Sequence, residues 1–329
     1  MQIIQHARLS IAPMMDWTDR HCRYFHRLMS TRALLYTEMV TAPAIVRGDA
    51  ERHLAFDAAE HPVALQLGGS EPAELAAATR IADDYGYDEI NLNVGCPSDR
   101  VQSGCFGAVL MRQPRLVAEC VQAMQAETRV EVTVKCRIGV DEQDPRESLP
   151  AFLSAMVEAG VSRVTIHARK AWLEGLSPKQ NRDVPPLDYD LVYDMKRQFP
   201  ALHVSLNGGI DTLDTAKDHL RRGMDGVMIG RAAYHSPGEI LLTADAHIFG
   251  DSGAGRTAED VALAMLPYIE AHLSTGGRLS HVTRHMLGLF AGRPGARAWR
   301  RILSQEAHID GAGPEVVERA LQSLTARAA

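Results

Sequence analysis

The chain has 329 residues, 46% of them hydrophobic and only 5% aromatic, with 35 Lys and Arg against 41 Asp and Glu for a net charge of −6. That leaves room for one large domain and a small one, or two of medium size, around a Val, Ile, Leu and Ala core. It excludes a spanning membrane helix, because no apolar run is long enough. The five cysteines, at 22, 96, 105, 120 and 136, make neither a disulfide framework nor paired metal spacing, so no metal is expected.

Residues 1–8 lack the long apolar core of a signal peptide, and the cytoplasm is the expected compartment. Up to residue 240 two patterns then alternate. Short apolar runs at 9–14, 34–39, 63–68, 89–94, 130–137, 163–167, 202–207 and 226–229 read as strands. Between most of them lie helical stretches, at 72–85, 114–126, 149–159, 187–199 and 213–222. Eight such units predict an α/β fold, a parallel (β/α)8 TIM barrel over residues 1–244. An open doubly wound sheet is the alternative, weakened because no Gly-x-Gly-x-x-Gly follows the first strand. From the third unit on, the strand ends carry Gln66, Asn93, Lys135, His167, Asn207 and Arg231. Any one of them could be plain surface polarity, but in a barrel all six converge on one mouth.

After His167 comes a long connection, 168–187, holding Arg169, Lys170, Trp172, Lys179, Arg182 and three prolines. Loops of this length are usually functional or disordered, and the Trp and prolines favour order. Beyond residue 245 the strand pattern stops. A Gly-rich linker at 251–255 leads to helical spacing at 259–273, 282–290, 296–303 and 314–324, a small all-helical domain over 245–329. From residue 245 on, nine Arg balance nine acids, so the acidic excess lies on the barrel. Residues 278–305 contain Arg278, Arg284, Arg293, Arg297, Arg300 and Arg301 and no acid. Spacings of four and three would put Arg293, Arg297 and Arg300 on one helix face. Such a face is commonly just solvated, yet arginine without lysine suits phosphate forks.

The most informative stretch is 91–97, Asn-Leu-Asn-Val-Gly-Cys-Pro. Gly95 and Pro97 end the strand, so the thiol of Cys96 stands at its C-terminal mouth. A thiol there could be nucleophile, acid or ligand, or merely a small buried residue. Cys105 follows in a Gly-flanked loop, its role open. Asn207-Gly208-Gly209 after the seventh strand and Gly230-Arg231 after the eighth occupy the two loops that bind phosphate in many barrels. Lys135 could stabilise negative charge on a reduced flavin. Gln66 can both donate and accept, as a flavin pyrimidine edge requires. Pro13, Met14 and Met15 offer backbone and apolar contact to an isoalloxazine ring.

These segments together resemble the tRNA-dihydrouridine synthase family, from about residue 8 to beyond residue 300. The matching stretches include 12–20, 35–39, 64–69, 91–97, 134–139, 167–172, 205–210 and 226–232. The loop motifs at 168–172, 176–179 and 185–189 point to the A-type, which acts on the D-loop. Cys136 stands where the family usually has Thr or Ala, a neutral buried change. The resemblance implies a tightly held FMN reduced by NADPH, hydride transfer to uracil C6, and protonation of C5 by Cys96. It implies that Pro13, Met14, Met15, Gln66, Lys135, His167, Asn207, Gly208, Gly209, Gly230 and Arg231 hold FMN. It places Asn93 on the uracil edge, and Arg169, Lys170, Lys179, Arg182, Arg293 and Arg297 on the tRNA of positions 20 and 20a. A monomer with tRNA as its only macromolecular partner is expected. A barrel flavoenzyme of small metabolites would share the phosphate site but have no use for the basic tail and loop. A non-catalytic RNA-binding barrel would not need Cys96, Lys135 and His167 together.

Overall fold

The computed structural model describes residues 3–98, 106–253 and 255–325; Cys105 lies outside them. Eight strands form: β1 (Leu9–Ile11), β2 (Leu35–Thr41), β3 (Val63–Gly68), β4 (Glu89–Val94), β5 (Glu131–Arg137), β6 (Arg163–His167), β7 (His203–Asn207) and β8 (Gly226–Ile229). All pairings are parallel, in the order β1-β8-β7-β6-β5-β4-β3-β2. The ring closes between β1 and β2 through a short bridge, Ile11 N to Leu34 O at 2.9 Å and Leu34 N to Leu9 O at 3.0 Å. The expected barrel is therefore present.

Differences at the element ends have local causes. β1 stops at Ile11, short of residue 14, because Pro13 has no N–H to continue the ladder, and Met14 N turns to the Thr18 hydroxyl at 2.9 Å. The helix expected at 149–159 starts at Pro145. Asp144 caps it by accepting from Arg146 N at 2.9 Å, five residues before the apolar spacing begins. The stretch expected as one helix at 259–273 is two, Ala258–Ala264 and Leu266–Ser274, since Pro267 interrupts the hydrogen-bond ladder.

One large apolar core fills the space between the strands and the surrounding helices and runs on into the C-terminal helices, where Trp299 is fully buried. The interior of the barrel is different. Barrels are usually filled with branched apolar side chains. Here the apolar filling is a small cluster, Ala7, Ala12, Leu34, Tyr36, Ala64 and Met228, on the β8-β1-β2-β3 side. Buried Gln66, Glu89, Asn91, Asn93, Thr133, Arg163, Thr165, Ser205 and Asn207 are polar instead. They recur at every second position of their strands, the period that sends alternate side chains to one face.

The chain after β8 is clasped to the barrel. Asp245 accepts from the Ser30 hydroxyl at 2.5 Å and from Thr31 N at 2.8 Å, and Arg32 pairs with Asp251 at 2.7 Å. The acid-free arginine run does not form the single face its spacing suggests. The helix Ala296–Glu306 begins after Gly295, whose φ of 84° breaks the chain direction, so Arg293 lies outside it. Arg293 instead forks onto Glu259, at 2.5 and 3.2 Å, and covers the Phe290 ring.

Candidate active site

The strands bring the sequence-predicted side chains to one end of the barrel. In the ladder Asn93 is opposite Lys135, Arg137 opposite His167, and His167 opposite Asn207. Above them lies a cavity of about 510 Å³, within the range of small-molecule and cofactor sites. Pro13, Met14, Met15, Gln66, Asn93, Cys96, Lys135, His167, Arg182, Asn207, Gly208, Gly209, Gly230 and Arg231 all line it. Arg169, Lys170, Lys179, Arg293 and Arg297 do not. The first three belong to the loop that contributes Pro178 and Arg182; the other two lie in the C-terminal region.

The thiol-bearing turn is built by Asn93. Its Oδ1 accepts from Gly95 N at 3.1 Å and from Cys96 N at 2.9 Å, while Nδ2 donates to Gln66 Oε1 at 2.8 Å. Cys96 O accepts from Ala108 N at 2.9 Å. Cys96 is half-buried and lines the cavity, its sulfur 3.5 Å from the Ser98 hydroxyl. Cys136, by contrast, is fully buried, and burial pushes its thiol up to about 12. It is a buried residue of the strand, as its sequence context suggested.

Lys135 donates to Asn207 Oδ1 at 3.2 Å, and Asn207 Nδ2 donates to Met228 O at 2.8 Å. Asn207 therefore positions the lysine and ties β7 to β8. Burial, reinforced by Arg137, pulls the Lys135 ammonium down to about 8. Burial also holds His167 well below the usual histidine range, with Arg137 and Lys135 adding to the effect. Its ring is thus neutral, and it has no hydrogen-bond partner among the described residues. A half-buried cation and an unpaired imidazole facing a cavity fit an anionic, hydrogen-bonding group.

The glycines have an internal reason beside ligand approach. At Gly208 φ is 108°, and a Cβ would stand 2.7 Å from His167 Cδ2; at Gly209 φ is 68° and a Cβ would meet Leu187 at 2.6 Å. Glycine here lets His167 and the turn coexist. Gly208 O accepts from the Tyr189 hydroxyl at 2.7 Å. Arg231 pairs with Asp183 at 2.8 Å, half-exposed at the mouth beside Arg182.

The mouth loop is ordered by its own cations. Arg169 donates to the carbonyls of Pro185 and Asp183, and Lys170 sits 5.2 Å over the Trp172 ring. Lys179 is exposed. Sequence reasoning gave no role to Arg137. This buried side chain donates from Nε to Gly95 O at 3.1 Å, and from one terminal nitrogen to Asn181 O at 2.9 Å and Lys170 O at 3.2 Å. It thereby pins the cysteine turn to the mouth loop. The signal that could have found it is parity, since 133, 135 and 137 alternate inward on β5.

A closed parallel barrel with a thiol, a half-buried lysine and a neutral histidine around one mouth cavity defines a barrel enzyme. The chain belongs to the dihydrouridine synthase family: the family model described as "Dihydrouridine synthase (Dus)" matches residues 10–325. It is 60% identical over 315 residues to the tRNA-dihydrouridine(20/20a) synthase of Shewanella oneidensis, covering 96% of this chain and 93% of that one. It is 58% identical to the proteins of the same name from Vibrio cholerae and Escherichia coli K12, again over 96% of this chain and over 96% and 91% of theirs. Among solved structures, an old yellow enzyme homologue from Zymomonas mobilis shares the fold, with a TM-score of 0.53 at 13% identity over 77% of this chain and 91% of that one. No helix among the described residues is long and apolar enough to cross a membrane.

Proposed function

We propose that this protein reduces the C5–C6 bond of uridines 20 and 20a in the tRNA D-loop to dihydrouridine, with FMN as cofactor and NADPH as reductant. The observation that carries the reading is the Cys96 thiol on a turn fixed by Asn93, facing one cavity with Lys135 and His167. The family membership and the names of the relatives support the same substrate.

The residues present fit the cofactor. Lys135 and His167 supply a cation and an unpaired ring nitrogen. Gln66, after its bonds to Asn91 and Asn93, retains one N–H and one lone pair for a pyrimidine edge. The Gly208–Gly209 turn and Arg231, which pairs with Asp183 at the mouth, would hold the phosphate. When bound, FMN would supply the hydride for uracil C6. The chain supplies the rest. Asn93 has one N–H left for the uracil edge, both lone pairs of its oxygen being spent on the cysteine turn. Cys96 gives the proton to C5; a thiol is still protonated near neutral pH, where a carboxylic acid is not. The target base must leave its stack to enter, as for other enzymes that act on a base. Lys179, Arg182 and the exposed arginines of residues 245–329, acting as a helical tRNA-binding unit, hold the backbone. We place the enzyme in the cytoplasm, working as a monomer.

Cys96→Ala tests this. The variant should bind FMN and accept electrons from NADPH normally, yet form dihydrouridine roughly 10²–10⁴-fold more slowly, the usual loss for a general acid. Wild-type turnover on tRNA would remove Cys96 from the mechanism.

A further inference from the structure

Beneath the cavity the barrel interior holds a single file of hydrogen bonds. Cys96 N donates to Asn93 Oδ1 at 2.9 Å, Asn93 Nδ2 to Gln66 Oε1 at 2.8 Å, and Gln66 Nε2 to Asn91 Oδ1 at 2.8 Å. Asn91 Nδ2 then donates to the Thr133 hydroxyl at 2.7 Å, which donates to Glu89 Oε1. Glu89 is fully buried and paired with Arg163 at 2.5 Å. Gln66, Asn91 and Thr133 are neighbours in one row of the ladder, and all three are at most 2% exposed.

Both ends of this file have only one polarity. A backbone N–H can only donate, and a carboxylate paired with arginine can only accept. Thr133 must therefore give its hydrogen to Glu89, which leaves its oxygen to accept from Asn91. The Asn91 amide is then oriented, its oxygen toward Gln66, and Gln66 in turn turns its oxygen toward Asn93. Reversing any one amide would set two donors or two acceptors face to face, a costly arrangement where water does not reach.

We infer that Thr133 and Asn91, which touch neither cavity nor thiol, are positioning residues. They lock the amide orientations of Gln66 and Asn93 and, through Asn93, the turn that aims the Cys96 thiol. The inference rests on the proposed role of Cys96 as proton donor, and its test is chosen to be separable from that role. Thr133→Val keeps the shape and removes the hydroxyl; Thr133→Ala does the same where valine disturbs folding. Thr133→Ser restores the hydroxyl. Tyr36→Phe is the control, because Tyr36 donates to the same Glu89 oxygen at 2.7 Å without belonging to the file.

Two readouts are taken on flavin-loaded protein: the single-turnover rate of uridine reduction in tRNA, and the rate of iodoacetamide alkylation at Cys96, followed by peptide mass spectrometry. Thr133→Val should slow uridine reduction about tenfold, the effect of losing one orienting hydrogen bond. It should alter the Cys96 alkylation rate several-fold. Serine should restore both rates, and Tyr36→Phe should behave as wild type. Wild-type alkylation and reduction rates in Thr133→Val would overturn the inference, as would equal losses in Tyr36→Phe, which would mark a general weakening of the barrel floor. If wild-type protein forms no dihydrouridine, the proposed reaction fails, and the alkylation comparison still decides the role of Thr133.

Discussion

A side chain at position 208 would have to share space with the His167 ring. Gly208→Ala combines that clash with a φ of 108°, so it should displace the imidazole and yield largely flavin-free protein with the barrel intact by circular dichroism. Full flavin content in the purified variant would contradict the placement of His167 and this turn around FMN. Lys135 carries a second prediction. Burial holds it at about 8 in the ligand-free site, so its positive charge fades as pH rises through that value. Affinity of the apoprotein for reduced, anionic FMN should therefore weaken above about pH 8. In Lys135→Met it should be lower at every pH and show no such step, as followed by anaerobic fluorescence titration.

At the scale of elements, the junction between the helix Arg20–Arg27 and the C-terminal helices is dense in histidine. Asp19 caps the first helix through Cys22 N at 3.0 Å and also meets His285 at 3.0 Å and Arg284 at 2.5 Å. Burial opposes its charge, yet the His285 contact holds it well below the usual carboxylate range. His21 bonds the Tyr268 hydroxyl at 2.8 Å. Burial pulls His21 down to about 4, and burial with His285 pulls His26 to about 3. These folded values lie below the unfolded value near 6.5. Between the two the unfolded chain binds more protons, so stability is full above about pH 6.5 and falls as pH drops toward 4; the Asp19 contribution is lost in the same direction, further into acid. Urea midpoints between pH 7 and 4 should follow that slope. In His26→Phe the slope should flatten by up to one proton, and an unchanged slope would remove His26 from it. Elements such as these were only partly legible beforehand. The eight strands stood out because apolar runs alternate with amphipathic helices and end in glycine, proline or a polar residue. The division at Pro267 and the early cap at Asp144 were local signals that the apolar spacing overrode. The Arg293–Glu259 and Arg284–Asp19 pairs join residues far apart in the chain, which spacing alone does not reveal.

For the whole molecule, the basic tail has two kinds of arginine. Arg284, Arg293 and Arg319 are paired with Asp19, Glu259 and Glu306 and fasten helices together. Arg297, Arg300 and Arg301 are exposed and have no ion pair among the described residues. If residues 245–329 hold tRNA, substituting the second group with alanine should raise KM for tRNA and flatten its salt dependence, by at most about one unit of slope for each phosphate no longer neutralised. NADPH oxidation by the flavin should be unaffected. Arg293→Ala should instead lower thermal stability, with a smaller effect on the salt slope. Equal tRNA affinity and salt slope in the triple variant and the wild type would show that the RNA docks elsewhere. The candidate site was more legible than this surface. Cys96, Lys135, His167 and both glycine turns stand at strand ends, where the barrel's geometry makes them converge. Arg137, Asn91 and Thr133 were missed because their roles come from partners on neighbouring strands.

The most direct measurement is position-resolved mapping of dihydrouridine in tRNA from cells lacking this protein, against cells complemented with the wild type and with Cys96→Ala. The proposed function predicts uridine at positions 20 and 20a in the deletion and in the Cys96→Ala strain, with dihydrouridine restored by the wild type alone. Dihydrouridine persisting at both positions in the deletion, with no conversion of unmodified tRNA by the purified flavoprotein and NADPH, would contradict it.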